Sequence, residues 1–126
     1  MPLVNISLAK GKPESHRKAI ADSVYDAMTA ELNVPADDRF ILIHEFEPSN
    51  FDINRTYLGI ARIDDCVIIQ VTLNAGRSTE LKKAFYATLA EHIHERTGLR
   101  KEDVFINLVE VVKENWSFGL GLAQYA

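Results

Sequence analysis

The sequence has a single cysteine, Cys66, which excludes an intrachain disulfide and any Cys-x-x-Cys metal or redox motif. A small apolar core residue is the role left to it. No apolar run approaches the roughly 20 residues of a membrane-spanning helix, and the N-terminus lacks the charged and apolar regions of a secretion signal. The expected location is therefore cytoplasmic, with no membrane partner. There is no block of Lys and Arg, and the formal net charge is −4, so nothing draws the chain to nucleic acid. The four histidines are dispersed: His92 and His94 stand two apart on one helical stretch and point in different directions, while His16 and His44 fall in separate elements. No metal site is expected from them. Ser78 and Ser117 lack a nucleophile elbow and an ordered His-Asp partner, which disfavours a hydrolase triad.

What is present fits one domain spanning residues 1–126, with 47% hydrophobic and 25% charged residues. Its most informative stretch is the first, Met1-Pro2-Leu3-Val4-Asn5-Ile6, which reads as a buried β-strand headed by proline. Removal of Met1, which a small second residue permits, leaves Pro2 with a free secondary amine. An α-amino group starts near a pKa of about 7.7–8.0; burial or a nearby cation lowers it and a carboxylate raises it. Such a group serves as base or acid near neutrality.

Sliding the second half over the first by 65 positions aligns the two without a gap. Lys18-Ala19 falls on Lys83-Ala84, Asp38 on Asp103, Phe40-Ile41 on Phe105-Ile106 and Glu45 on Glu110. Pro2, Val4, Ile6 and Leu8 alternate with Leu3, Asn5 and Ser7, and Val67, Ile69, Val71 and Leu73 repeat that period. Gly11-Lys12-Pro13 opens a helix whose apolar face is Ile20, Val24, Ala27, Met28 and Leu32, with proline expected early in its first turn. In the second half Ser78 is the expected N-cap, Leu81, Phe85, Leu89 and Ile93 form the apolar face, and Thr97-Gly98 ends the helix. Strand-like runs from Phe40 to Phe46 and from Val104 to Val111 close the halves. The fold class is thus α+β, a duplicated β-α-β unit over about residues 2–46 and 67–111, with a four-stranded mixed sheet covered on one face by two helices.

A β-α-β unit has parallel strands, so both its strands start at one end of the sheet. Pro2 then shares an end with the Asp37-Asp38-Arg39 turn. If the two first strands pair antiparallel, the exit of the third strand, Asn74-Ala75-Gly76-Arg77, arrives there as well. The uncovered sheet face would carry Leu3 and Ile68 among the polar Asn5, Gln70 and Thr72, a mixture that suggests an oligomer without fixing its number.

An amino-terminal proline on a duplicated β-α-β chain resembles the tautomerase superfamily, and within it the long-chain branch around malonate semialdehyde decarboxylase. The resemblance rests on Pro2-Leu3, Val34-Pro35-Ala36-Asp37-Asp38-Arg39-Phe40, Gly76-Arg77-Ser78-Thr79-Glu80, Lys83-Ala84-Phe85-Tyr86 and Asn115-Trp116-Ser117-Phe118-Gly119. It implies a homotrimer with sites built partly between subunits, and catalysis by the proline with no metal or cofactor. Residue by residue, Pro2 matches the catalytic proline, and Arg77 an arginine whose planar fork suits a substrate carboxylate. Asp38 matches an aspartate that works with the proline or with water, although Asp103 at the equivalent place, where Val67 replaces proline, also fits a shared turn role. Trp116 and Phe118 match aromatic residues of the pocket wall. The branch has a second arginine two positions before Arg77, where this chain has Ala75.

The leading expectation is a cofactor-independent tautomerase in which Pro2 is general base on a small 2-oxo or 3-oxo acid and Arg77 holds its carboxylate. The enzymatic alternative is a decarboxylase or hydratase with cationic Pro2 and Asp38 activating water. The alternative from another class is a non-catalytic trimeric binding protein.

Overall fold

The structure, a computed structural model, describes residues 2–126. Strands β1 (Leu3–Ala9), β2 (Ile41–Phe46), β3 (Val67–Asn74) and β4 (Val104–Val111) form one sheet in the order β2-β1-β3-β4. The outer pairs are parallel and the central β1–β3 pair is antiparallel, with Leu3 opposite Thr72 and Ser7 opposite Ile68. This is the pairing on which the convergence of segments depended. Helices α1 (Glu14–Glu31) and α2 (Thr79–Thr97) lie on one face. Period-2 alternation sends Val4, Ile6 and Leu8 of β1 and Val67, Ile69, Val71 and Leu73 of β3 into the helix-facing core, where Ile20, Val24, Met28, Phe85, Leu89 and Ile93 meet them.

The 65-residue offset survives in three dimensions. The 3-10 turn after β2, Pro48–Asn50, maps onto the turn after β4, Lys113–Asn115. Gly11 and Gly76, at the strand-to-helix corners, have φ of 125° and 123°, a region open to glycine and rarely to other residues. Arg17 pairs with Glu45 at 3.5 Å and, at the matching positions, Lys82 pairs with Glu110 at 2.8 Å. Each pair ties the first turn of a helix to the last part of its own unit's second strand.

Two local details differ from expectation. Pro13 is the N-cap of α1, one position before the helix, because its extended backbone turns the chain in while the first helical residue is Glu14. Leu81 stays exposed, since it lies in the first turn of α2 beyond the edge of the core, while its backbone N–H donates to the Ser78 hydroxyl cap. The cap itself, and the left-handed Gly98 that ends α2, are as expected.

The opposite sheet face is partly open. Leu42, Phe105 and Val109 are exposed on it, and the segment between β2 and β3 folds over one portion, leaving a cavity of about 210 Å³ among Ile53, Tyr57, Arg62, Ile68 and Phe105.

Asp103, immediately before β4, is a wholly buried carboxylate. The Ile63 backbone N–H donates to its Oδ1 at 2.8 Å and Arg100 Nε donates to its Oδ2 at 2.9 Å, so it ties the approach to β3 to the approach to β4. Charge-assisted hydrogen bonds of this kind are worth about 1.5–3 kcal/mol. Asp103→Ala should therefore lower unfolding stability by about 2–3 kcal/mol in urea denaturation, with the denaturant dependence little changed.

Candidate active site

Pro2 is buried at the end of the sheet where β1 begins. Beside it, the Val4 N–H donates to the Phe40 carbonyl at 2.9 Å, which brings the end of the Asp37-Asp38-Arg39 turn against the start of β1. On the other side, continuing the Leu3–Thr72 register by one step sets Pro2 opposite Leu73, next to Asn74. The β2 turn and the β3 exit thus flank the proline, as the antiparallel central pair requires.

The turn carrying Asp38 is fixed from several sides. The Asp38 N–H donates to the Pro35 carbonyl at 3.0 Å, the counterpart of the bond from Asp103 to Arg100 at the other end. The Tyr25 hydroxyl donates to the Ala36 carbonyl at 2.6 Å, and Arg39 both pairs with Asp22 at 2.7 Å and lies over the Tyr25 ring. The side-chain environments of the two aspartates then diverge. Where Asp103 has Arg100, the equivalent position near Asp38 is Pro35, which has no side-chain donor. Burial pushes the Asp38 carboxyl above its usual range, with Asp37 adding to the effect. A shared turn role explains the backbone of both aspartates.

Arg77 sits at the β3-to-α2 corner and reaches across to the other repeat. Its Nε and Nη2 donate to the Leu32 carbonyl at 3.0 and 2.9 Å, and its Nη1 donates to the Asn74 carbonyl at 3.2 Å. The last turn of α1 has no basic residue of its own, so this guanidinium supplies the cation that the negative end of that helix favours. Three of its donors are directed at main-chain carbonyls, which fixes the group and leaves two of the five N–H of a guanidinium for other acceptors.

Asn74, the last residue of β3, is a further participant. Its Oδ1 accepts from Trp116 Nε1 at 2.7 Å while its backbone carbonyl accepts from Arg77. Trp116 stacks on Phe118 at 5.5 Å, and Phe118 meets Tyr125 edge-on at 4.8 Å. Gln124 closes the tail by accepting from the Phe118 N–H and donating to the Gly119 carbonyl, both at 2.9 Å. The expected aromatic residues are therefore joined to the β3 exit through Asn74. Sequence reading placed Asn74 in the converging segment without a role. The available signal was its position at the end of a strand, opposite an alanine, Ala9, in the other repeat.

Together these groups can present a buried ring nitrogen, a carboxyl biased toward its neutral form, a fixed cation and an apolar aromatic wall. Met1, whose removal would free the Pro2 nitrogen, lies outside the described residues. The arrangement suits proton transfer next to a carbonyl more readily than nucleophilic hydrolysis.

Comparison with known proteins agrees with this fold. Two family models, each described as tautomerase enzyme, match residues 38–119 and residues 2–59. The probable tautomerase YusQ of Bacillus subtilis (strain 168) is 43% identical over 124 residues, covering 98% of both chains. Among solved structures, FG41 malonate semialdehyde decarboxylase inhibited by 3-bromopropiolate superposes with a TM-score of 0.90 at 38% identity, covering 98% of this chain and 93% of that one. A fused 4-OT described as a symmetric trimer shares the fold with a TM-score of 0.79 at 23% identity, covering 98% and 97% of the two chains. The match of both family models across the two repeats and the extent of the YusQ alignment show that this chain belongs to the tautomerase family of enzymes.

Proposed function

We propose that the protein is a cofactor-independent tautomerase in which the Pro2 nitrogen, freed by removal of Met1, is the general base for keto-enol isomerisation of a small 2-oxo or 3-oxo acid. The observation that carries this reading is the burial of Pro2 beside a half-buried Asp38 whose carboxyl is raised by burial. Burial acts against a charged amine, and a neutral Asp38 leaves that effect unopposed, whereas its carboxylate would raise the amine. A neutral amine takes a proton from the enol oxygen or from carbon and returns it at the other position. Asp38 lies on the adjoining turn and serves as proton carrier or as hydrogen-bond partner of the enol. The charge of Arg77 and its two remaining N–H attract the substrate carboxylate and stabilise enolate charge, and Trp116 with Phe118 forms the apolar wall.

A decarboxylase or hydratase is the second reading, favoured by the likeness to FG41 malonate semialdehyde decarboxylase. It needs a cationic Pro2. Ala75, at the place of that branch's second arginine, favours the first reading. The exposed Leu42, Phe105 and Val109 support a homotrimer assembled through the open sheet face.

The processed protein should accelerate ketonisation of phenylenolpyruvate, followed by loss of enol absorbance. Pro2→Ala should reduce kcat/KM by about 10²–10⁴-fold, the range for general acid–base catalysis; an unchanged rate contradicts the proline mechanism. Asp38 adds a pH signature. Because its folded pKa is raised above the unfolded value near 3.8, folding favours the neutral carboxyl, and that stabilisation is lost as pH rises through the folded pKa. Asp38→Asn should thus melt at a higher temperature than wild type at pH 7 and converge with it below about pH 4, while turnover falls.

A further inference from the structure

At the opposite end of the sheet the fold repeats the machinery of the Pro2 end. A cavity of about 340 Å³ there is lined by the β1 exit Leu8 to Lys12, by Pro48 and Phe51, and by Asp64, Asp65 and Cys66. Under the 65-residue offset, Lys10 takes the place of Ala75, Gly11 that of Gly76, Lys12 that of Arg77 and Phe51 that of Trp116. The backbone follows the same rule: the Lys10 N–H donates to Phe46 as the Ala75 N–H donates to Val111, at 2.8 and 2.9 Å. Phe51 closes a 3-10 turn as Trp116 does, and rests on Phe46 with ring centroids 5.9 Å apart. The decisive difference is at the nitrogen. Val67 stands where Pro2 does and continues from Cys66, so this end has a pocket with an in-chain amide in place of an amine.

We propose that this cavity is a second binding site, for a small monocarboxylate, held by the Lys10 and Lys12 ammonium groups against the Phe51 ring and unable to turn its ligand over. It has two cations at the strand exit, where the Pro2 end has Arg77 alone, and its volume falls in the range of small-molecule sites. Lys10 contacts Glu47 at 2.6 Å and Lys12 contacts Asp65 at 3.1 Å, with all four side chains substantially exposed. Exposed pairs of this kind are worth about 0–1 kcal/mol, so a ligand carboxylate displaces one of the acids at little cost. Arg17 donates to the Lys12 carbonyl at 2.7 Å and fixes the corner, and Asp64 is engaged by Arg55. The acidic Asp64 and Asp65 at the rim select against polyanions, which sets the ligand at one carboxylate on a short apolar body. Burial raises the Cys66 thiol, leaving it a neutral part of the wall.

The site lies at the end of the sheet opposite Pro2, Asp38 and Arg77 and shares no lining residue with them, so its test is separable from that of the enzyme. Amide spectra of the 15N-labelled, processed protein are recorded while pyruvate is added, with pyruvamide as the neutral control. Saturable shifts at Lys10, Gly11, Phe51 and Cys66 are expected with pyruvate and not with pyruvamide. They should persist in Pro2→Ala and disappear in Lys10→Met/Lys12→Met, whose unperturbed core signals establish that it is folded. Shifts confined to Asn74 and Trp116, shifts retained in the double lysine variant, or equal shifts with pyruvamide would each overturn the proposal. Ketonisation activity is read separately, so an inactive enzyme with intact binding at this end counts against the proposed function and leaves the second site standing.

Discussion

The antiparallel pairing of β1 with β3 is the constraint from which the rest follows. Each β-α-β unit is parallel within itself, so each brings the starts of its own strands together and sends its strand-to-helix corner to the far end. Joining two such units through antiparallel first strands sets the corner of one against the strand starts of the other. The proline, the Asp38 turn and the Asn74–Arg77 corner are gathered by that pairing, although they are far apart in the chain. Arg77 adds a second tie across the repeats by donating to the end of α1, so the fold and the electrostatics of the site share one side chain.

Duplication supplies two ends built to one plan, and a few substitutions separate their roles. At one, Asp103 is wholly buried and engaged by Arg100 and a backbone N–H. At the other, proline replaces that arginine, the turn is held against the start of β1 through Phe40, and burial raises the proton affinity of the aspartate. The same residue type makes the same turn in both copies, and under the proposed function one copy is also put to chemical use. The corner cations diverge in the same way: Arg77 is directed at main-chain carbonyls, while Lys12 faces a carboxylate at the rim of a cavity.

Much of this was legible in the sequence. The alternation of Val4, Ile6 and Leu8, its repetition at Val67 to Leu73, the Ser78 cap and the Gly98 terminus are local signals, and each led to the right element. The antiparallel pairing was a condition that only three-dimensional structure could meet, because the choice of edge by which two amphipathic units join leaves no period in the chain. The second role of Arg77 was hidden for a related reason: helix capping by a residue 45 positions away has no local pattern. Asn74 was passed over because one asparagine at a strand end has many uses, and its bond to Trp116 spans 42 positions. The exposed Leu81 shows the limit of periodicity, which marks a helix face without marking where the sheet beneath it stops.

The central claim is that the Pro2 nitrogen is a neutral amine at physiological pH because the end of the sheet excludes water around it. Direct titration of that nitrogen by 15N NMR, in protein whose mass confirms loss of Met1, tests it most closely. The account predicts an amine that is largely unprotonated at pH 7, below the ordinary N-terminal range of about 7.7–8.0. An amine still cationic at pH 7 would contradict the general-base mechanism and shift the assignment to a decarboxylase or hydratase.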